Sequence, residues 1–89
     1  MPPSTTEIIR QRLERFKPVA LNIVDDSASH VGHAGAAAGG GHFQLTIVSE
    51  EFHGKASIAR HRMIYDALSD LMHTEIHALQ IEAFTPDQL

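Results

Sequence analysis

Residues 42–49 read His-Phe-Gln-Leu-Thr-Ile-Val-Ser, and apolar and polar side chains alternate along them. Phe43, Leu45 and Ile47 fall on one side of an extended chain, while Gln44 and Thr46 fall on the other. Alternation with a period of two is typical of a strand that has one face against a core and the other toward water. This stretch therefore predicts the central strand of a sheet.

Two further segments are predicted to form strands. Residues 19–25 alternate in the same way, with Val19, Leu21 and Ile23 on one side and Asn22 facing away. We expect this strand to pair antiparallel with residues 42–49. Residues 76–84 predict a third strand that has Leu79 and Ile81 on one side and ends before Pro86.

The first helix is predicted over residues 5–17. Ser4 or Thr5 can cap its start, and Pro18 ends it. Its apolar side chains recur at i, i+4 and i+7, which places them on one face. These residues are Ile9, Leu13 and Phe16.

The longest helix is predicted over residues 56–72. At about 100° per residue, seven side chains share one face, and these are Ile58, His61, Ile64, Tyr65, Leu68, Leu71 and Met72. Because Arg60-His61-Arg62 interrupts the apolar pattern, residues 55–60 are interpreted either as the first part of this helix or as a separate short helix.

These segments predict an α+β, two-layer fold in the order α-β-β-α-α-β, with the helices on one face of a three-stranded sheet. Residues 1–89 are interpreted as a single domain. A long loop rich in Gly, Ala and His, at about residues 25–41, joins the first two strands. Loops of this length in small domains are usually functional or disordered.

Composition excludes several kinds of function. The chain has seven histidines and no cysteine, so disulfides and any self-sufficient thiolate-ligated cluster are excluded. A net charge of −4 disfavours simple electrostatic binding of nucleic acid. No apolar run approaches the ~20 residues of a membrane helix, and the N-terminus has no secretory signal pattern. A cytoplasmic location with no membrane partner is therefore expected.

Imidazole is a good ligand for transition metals and exchanges protons near neutral pH. A metal role in this chain must rest on histidine and carboxylate, or borrow sulfur from a partner. His30 and His33 lie three residues apart in the loop, where two imidazoles can share a metal. His77 shares its strand parity with Leu79 and Ile81, so its pattern also fits a half-buried structural residue.

Five motifs in this order resemble the BolA-like family over almost the whole chain. They are Asp26-Ser27-x-x-His30-x-Gly32-His33, His42-Phe43, Val48-Ser49-x-x-Phe52-x-Gly54-Lys55, Arg60-His61-Arg62-x-x-Tyr65 and His77-Ala78-Leu79. The resemblance implies a fold similar to a type II KH domain. It also implies a non-enzymatic adaptor in iron–sulfur cluster trafficking or iron signalling, partnered by a monothiol glutaredoxin with a Cys-Gly-Phe-Ser active site.

In the picture that this resemblance implies, a [2Fe–2S] cluster bridges the two proteins. The glutaredoxin and glutathione supply sulfur, and this chain supplies His77 together with one loop histidine, His30 or His33, of which His30 is slightly favoured. No cofactor is expected in the isolated chain, which is predicted to be a monomer or a weak homodimer.

Other candidate residues have more ordinary interpretations. His61 is predicted to be a buried structural histidine, and no function is assigned to His42, His53 or His73. Lys55, Arg60 and Arg62 form a compact basic group, which is either a solvated helix face or a contact for a partner or for nucleic acid.

The alternative function is a nucleic-acid-binding transcriptional regulator, because the resemblance to the BolA-like family also implies DNA as a partner. KH domains clamp the nucleic-acid backbone with a Gly-x-x-Gly loop. Residues 32–35 match these letters but lie between two predicted strands, while residues 54–57 read Gly-Lys-Ala-Ser and depart from them. An enzyme is not expected, since no motif fixes a nucleophile, base and oxyanion hole.

Overall fold

The computed structural model describes residues 3–27 and 41–89. Two α-helices and three strands follow one another as α1 (Thr5–Leu13), β1 (Ala20–Asp25), β2 (Gly41–Val48), α2 (Ser57–Ala67) and β3 (Ile76–Phe84). Short 3-10 helices occur at Glu14–Phe16, Glu50–Phe52 and Pro86–Gln88. The predicted α+β class is confirmed. Neither α-helix of the described residues is long and apolar enough to cross a membrane.

The sheet is mixed, with strand order β1-β2-β3. β1 runs antiparallel to β2, as predicted, and Leu21 lies opposite Ile47. β3 runs parallel to β2, with Ala83 opposite Ile47. Parallel neighbours require a crossover connection, and α2 lies within that crossover. As a result, β2 and β3 both begin at the same end of the sheet.

Both helices pack on one face of the sheet. α1 contributes Ile9 and Leu13 to the core, and Phe16 follows from the adjoining 3-10 helix. All three predicted apolar residues of the first helix are therefore buried. β2 contributes Phe43, Leu45 and Ile47, and the region of α2 contributes Ile64, Ala67, Leu68 and Leu71. The opposite face of the sheet carries the polar side chains Asn22, Gln44, Thr46, Gln80 and Glu82 around an open groove.

The first helix is shorter than predicted because its last turn tightens. The Ser4 hydroxyl caps the start by accepting a hydrogen bond from the Glu7 amide at 3.2 Å. The α-helix ends at Leu13, the following 3-10 helix ends at Phe16, and its C-cap Lys17 adopts the left-handed conformation with φ 48°. Pro18 then follows and leads into β1.

The predicted apolar face of α2 is partly wrong. Ile58 is 70% exposed and Tyr65 is 39% exposed. The buried positions are Ile64, Ala67, Leu68 and Leu71, which recur at i, i+3, i+4 and i+7. At 100° per residue, Ile58 and Tyr65 lie more than about 100° from the centre of that stripe. Small Ala67 belongs to the buried face, and the predicted face omitted it.

The interpretation of residues 55–60 as a separate short helix is also wrong. Residues 57–60 form the first turn of α2, and Lys55 and Ala56 precede it without helical structure. The additional helical element between β2 and α2 is the 3-10 helix Glu50–Phe52. Ser49 begins it: the buried hydroxyl accepts a hydrogen bond from the Glu51 amide and donates one to the Phe16 carbonyl.

An ion pair ties α1 to the segment after α2. Arg12 donates a hydrogen bond from Nη2 to Oδ2 of Asp70 at 2.8 Å and a second from Nη1 to Oδ1. The Arg12 hydrogen bond holds the pKa of Asp70 below its usual value. A carboxylate whose folded pKa is lowered stabilises the fold above its unfolded pKa, and that contribution is lost as the pH falls through the folded pKa.

We therefore expect Asp70→Asn to lower the urea midpoint of unfolding at neutral pH. The difference from the wild type should shrink as the pH falls below about 4, where carboxylates protonate. Urea titrations of both proteins between neutral pH and pH 2 measure this difference directly. A difference that does not change with pH would contradict a role for the ionised carboxylate.

Candidate metal centre

A β-bulge at the start of β3 sets the position of His77. Gly41 lies opposite Ile76, whereas the next residue, His42, lies opposite Ala78, so His77 is an extra residue in β3. A bulge redirects the side chain of the extra residue and often lies beside functional sites. Ile76 is buried and His77 is exposed. The alternation of the sequence predicts that His77 lies on the same side of the strand as Leu79 and Ile81, but His77 is more exposed than both.

The bulge brings two histidines together. The rings of His42 and His77 lie with their centroids 5.2 Å apart and their planes tilted by 45°. His42 belongs to β2 and His77 to the neighbouring parallel strand β3, so the two residues meet where both strands begin. We call this region the histidine corner, formed by His42 and His77 with Asp26, Ser27 and Gly41.

Backbone hydrogen bonds fix the His42 side of the corner. The Asp26 amide donates to the His42 carbonyl at 2.8 Å, and the His42 amide donates to the Ser27 hydroxyl at 3.1 Å. The Ser27 amide in turn donates to the Asp25 carboxylate at 2.9 Å. The Nε2 atom of His42 is buried. The backbone of His42 is therefore fixed by hydrogen bonds, while His77 is exposed.

Gly41 leaves room at this corner for the Phe43 ring and the Ser27 hydroxyl. Its amide donates to the Glu75 carbonyl at 2.9 Å. A Cβ atom at this position would lie 2.5 Å from Cε2 of Phe43 and 2.8 Å from Oγ of Ser27. A hydrogen bond from the Thr74 hydroxyl lowers the pKa of the Glu75 carboxyl beside the corner.

The two loop histidines lie outside the described residues. His30 and His33 belong to residues 28–40, as do residues 32–35 with their Gly-x-x-Gly letters. The flanking residues Ser27 and Gly41 both belong to the histidine corner. The selection of His30 or His33 as the second ligand stays a prediction.

The remaining histidines lie elsewhere. His61 is half-buried rather than buried, because it lies at the flank of the buried stripe of α2. Its structural role stays a prediction. His53 is exposed, and its Nε2 lies 3.0 Å from the Glu50 carboxylate and 3.4 Å from that of Asp87. His73 is exposed, in a left-handed conformation with φ 68°.

The members of the predicted basic group, Lys55, Arg60 and Arg62, differ in their contacts. Arg60 donates from Nε to the Lys55 carbonyl at 2.8 Å, and from Nη1 to the Ala83 carbonyl at 2.9 Å and to Oε1 of Gln88 at 2.7 Å. Arg60 therefore connects the start of α2 to the end of β3. Lys55 and Arg62 are exposed.

The basic group and the histidine corner lie apart. Arg60 contacts Ala83 near the end of β3, whereas His77 is near its start. Six residues of an extended strand span about 20 Å. The structure therefore places Arg60 away from His77, at the other end of β3.

The corner can provide part of a metal coordination shell. Within residues 3–27 and 41–89, no three His, Asp or Glu side chains are arranged to hold a metal ion together. His77 is the exposed histidine of the corner, and the ligands that would complete a coordination shell can come from residues 28–40 or from another molecule. Such a partial set can share a metal with a partner.

Comparison with known proteins identifies the family. A family model described as BolA-like protein matches residues 13–88. The chain belongs to the BolA-like family. Solved structures similar to this BolA-like protein include the BolA domain of SufE1 from Arabidopsis thaliana, with a TM-score of 0.84, 41% identity and complete coverage of both chains. BolA1 from the same plant gives a TM-score of 0.85 at 34% identity, covering 100% of this chain and 99% of that one.

Curated relatives carry two kinds of name. The SufE-like protein 1, chloroplastic/mitochondrial, of Arabidopsis thaliana is 44% identical over 87 residues, which are 91% of this chain and 24% of that protein. The DNA-binding transcriptional regulator BolA of Escherichia coli strain K12 is 39% identical over 83 residues, covering 88% of this chain and 76% of the regulator. The BolA-like chain thus corresponds to about a quarter of the plant relative and about three quarters of the bacterial one.

Sequence reasoning missed His42 as a member of the candidate site. Alternation along residues 42–49 places His42 on the polar face of its strand, and the structure agrees. The sequence contains no signal for the contact between His42 and His77, however, because that contact depends on the bulge at His77 and on the parallel pairing of β2 and β3.

Proposed function

We propose that this BolA-like protein is a non-enzymatic adaptor in iron–sulfur cluster trafficking or iron signalling. It shares a [2Fe–2S] cluster with a monothiol glutaredoxin that has a Cys-Gly-Phe-Ser active site, and with glutathione. The observation that carries the proposal is the exposed imidazole of His77, set by a β-bulge at the corner from which the histidine-containing loop leaves and to which it returns.

The ligand chemistry supports this proposal. Two imidazoles can replace two thiolates on one iron of a [2Fe–2S] centre, as in Rieske proteins, and this raises the reduction potential. A chain without cysteine that offers an incomplete ligand set fits one half of a shared site. We assign His77 as one ligand and His30 or His33 as the second, with sulfur supplied by the glutaredoxin and glutathione. When bound, the cluster provides iron and sulfide that can pass to an acceptor protein.

The proposal is tested with His77→Ala. We expect the wild type, mixed with cluster-loaded glutaredoxin and glutathione, to give a new visible absorption and circular dichroism spectrum, and His77→Ala to lose it. His53→Ala is the matched control, because His53 is also exposed but contacts Glu50 and Asp87 rather than the corner. His30→Ala and His33→Ala identify the second ligand. A wild-type spectrum retained by His77→Ala would overturn the assignment of this ligand.

A second candidate function is transcriptional regulation by DNA binding, which the name of the Escherichia coli relative favours. Exposed Lys55 and Arg62 could contact phosphate, and residues 54–56 lie in the connection between a 3-10 helix and α2, which begins at Ser57. The net charge of −4 opposes it. Saturable, sequence-selective binding at physiological salt would support regulation, whereas weak binding that falls steeply with salt would be nonspecific.

A further inference from the structure

We infer that His42 is a positioning residue, whose ring holds the imidazole of His77 in the orientation from which it binds metal. This inference rests on the proposed role of His77 as a ligand. It adds a second histidine, from a different strand, that acts on the cluster through His77.

The contact between the rings is the first argument. A centroid separation of 5.2 Å with a 45° tilt lies within the range at which aromatic rings attract one another. His77 is exposed and is the extra residue of a bulge, so the regular cross-strand contacts of a β-ladder do not fix its side chain. The His42 ring supplies a packing surface that those contacts would otherwise provide.

The second argument is the asymmetry between the two histidines. His42 is anchored through both backbone groups, to Ser27 and to Asp26, and its Nε2 is buried. A buried nitrogen cannot reach a metal held by a partner protein unless the corner rearranges. The backbone of His42 is thus fixed and its ring is partly buried, whereas His77 is exposed.

Residues that orient a metal ligand without touching the metal often matter for affinity, and their substitution typically weakens metal binding by about 10–100-fold. We expect an effect in this range from His42→Ala on cluster binding by the heterodimer. His42→Phe keeps an aromatic wall at the same position and should restore most of the affinity. His53→Ala serves again as the control.

The test has one measurement that does not involve the cluster. In the apo protein, the ring protons of His77 should experience the ring current of residue 42, which NMR records as a displacement from random-coil shifts. His42→Ala should bring these resonances toward random-coil values, and His42→Phe should keep them displaced. Unchanged His77 shifts in His42→Ala would overturn the inference, whatever the cluster does.

The second measurement uses the heterodimer with the glutaredoxin and glutathione. Cluster affinity and the visible circular dichroism spectrum are compared among the wild type, His42→Ala and His42→Phe. Equal affinity and identical spectra for the wild type and His42→Ala would overturn the inference while leaving His77 as a ligand. A wild type that forms no His77-dependent spectrum would refute the proposed function, and the apo NMR result would still decide whether His42 orients His77.

Discussion

Replacing Phe52 with alanine is expected to lower the free energy of unfolding by about 3–5 kcal/mol, the usual cost of removing a buried phenylalanine ring. Phe52 is fully buried at the end of the 3-10 helix Glu50–Phe52. Its ring centroid lies 5.6 Å from that of Phe16, with the planes at 41°. The substitution leaves a cavity between the two 3-10 helices that precede β1 and α2, and a domain of this size has little stability in reserve.

Urea denaturation measures this loss. Phe52→Leu keeps most of the apolar volume and should cost less than about 1.5 kcal/mol. Ile58→Ala is the surface control, since Ile58 is 70% exposed and its truncation should be nearly neutral. A Phe52→Ala protein as stable as Ile58→Ala would show that the two 3-10 helices do not share a core.

Replacing Gly41 with alanine is expected to destabilise the fold by about 1–3 kcal/mol or more, because it overpacks a filled region. The new methyl group would lie within 3 Å of two ring carbons of Phe43 and of the Ser27 hydroxyl. Phe43 is buried in the core and follows His42 directly. Its displacement should therefore disturb the histidine corner as well as the stability of the fold.

Gly54→Ala provides the matched comparison. Gly54 has a φ of 74°, and an added Cβ would meet no atom within 4 Å. Its substitution should cost only the backbone strain of a left-handed residue, about 1–2 kcal/mol. Both variants are compared by urea denaturation and by the NMR shifts of the His77 ring. His77 shifts that move in Gly54→Ala but not in Gly41→Ala would contradict the role assigned to Gly41.

Local sequence patterns predicted most of the fold. The alternation around Leu45 identified β2 because a strand with one buried face must repeat every two residues. Leu21 and Ile23 identified β1 for the same reason, and its register with β2 places them opposite Ile47 and Leu45. The spacing of Ile9 and Leu13 identified the buried face of α1, because a helix that packs against a single core buries side chains on one face only.

The errors arise where position depends on contacts distant in the chain. The buried stripe of α2 includes Ala67, a small side chain that hydropathy patterns weigh lightly, and leaves Ile58 in solvent. Near His77, simple parity failed because the bulge inserts a residue opposite Gly41 and His42. The pairing of His42 with His77 required the parallel register of β2 and β3, which no local pattern encodes.

The bulge also allows β3 to bury an apolar side chain at Ile76 and to expose a different side chain at His77. Ile76 and Leu79 are three positions apart in β3, an odd spacing that would place them on opposite faces of a regular strand. Ile76 is nevertheless buried, and Leu79 packs against the same core. The residue between them that absorbs this change of phase is His77. A substitution at position 77 can therefore change an exposed side chain at this edge of the sheet while the packing of Ile76 and Leu79 in the hydrophobic interior stays as it is.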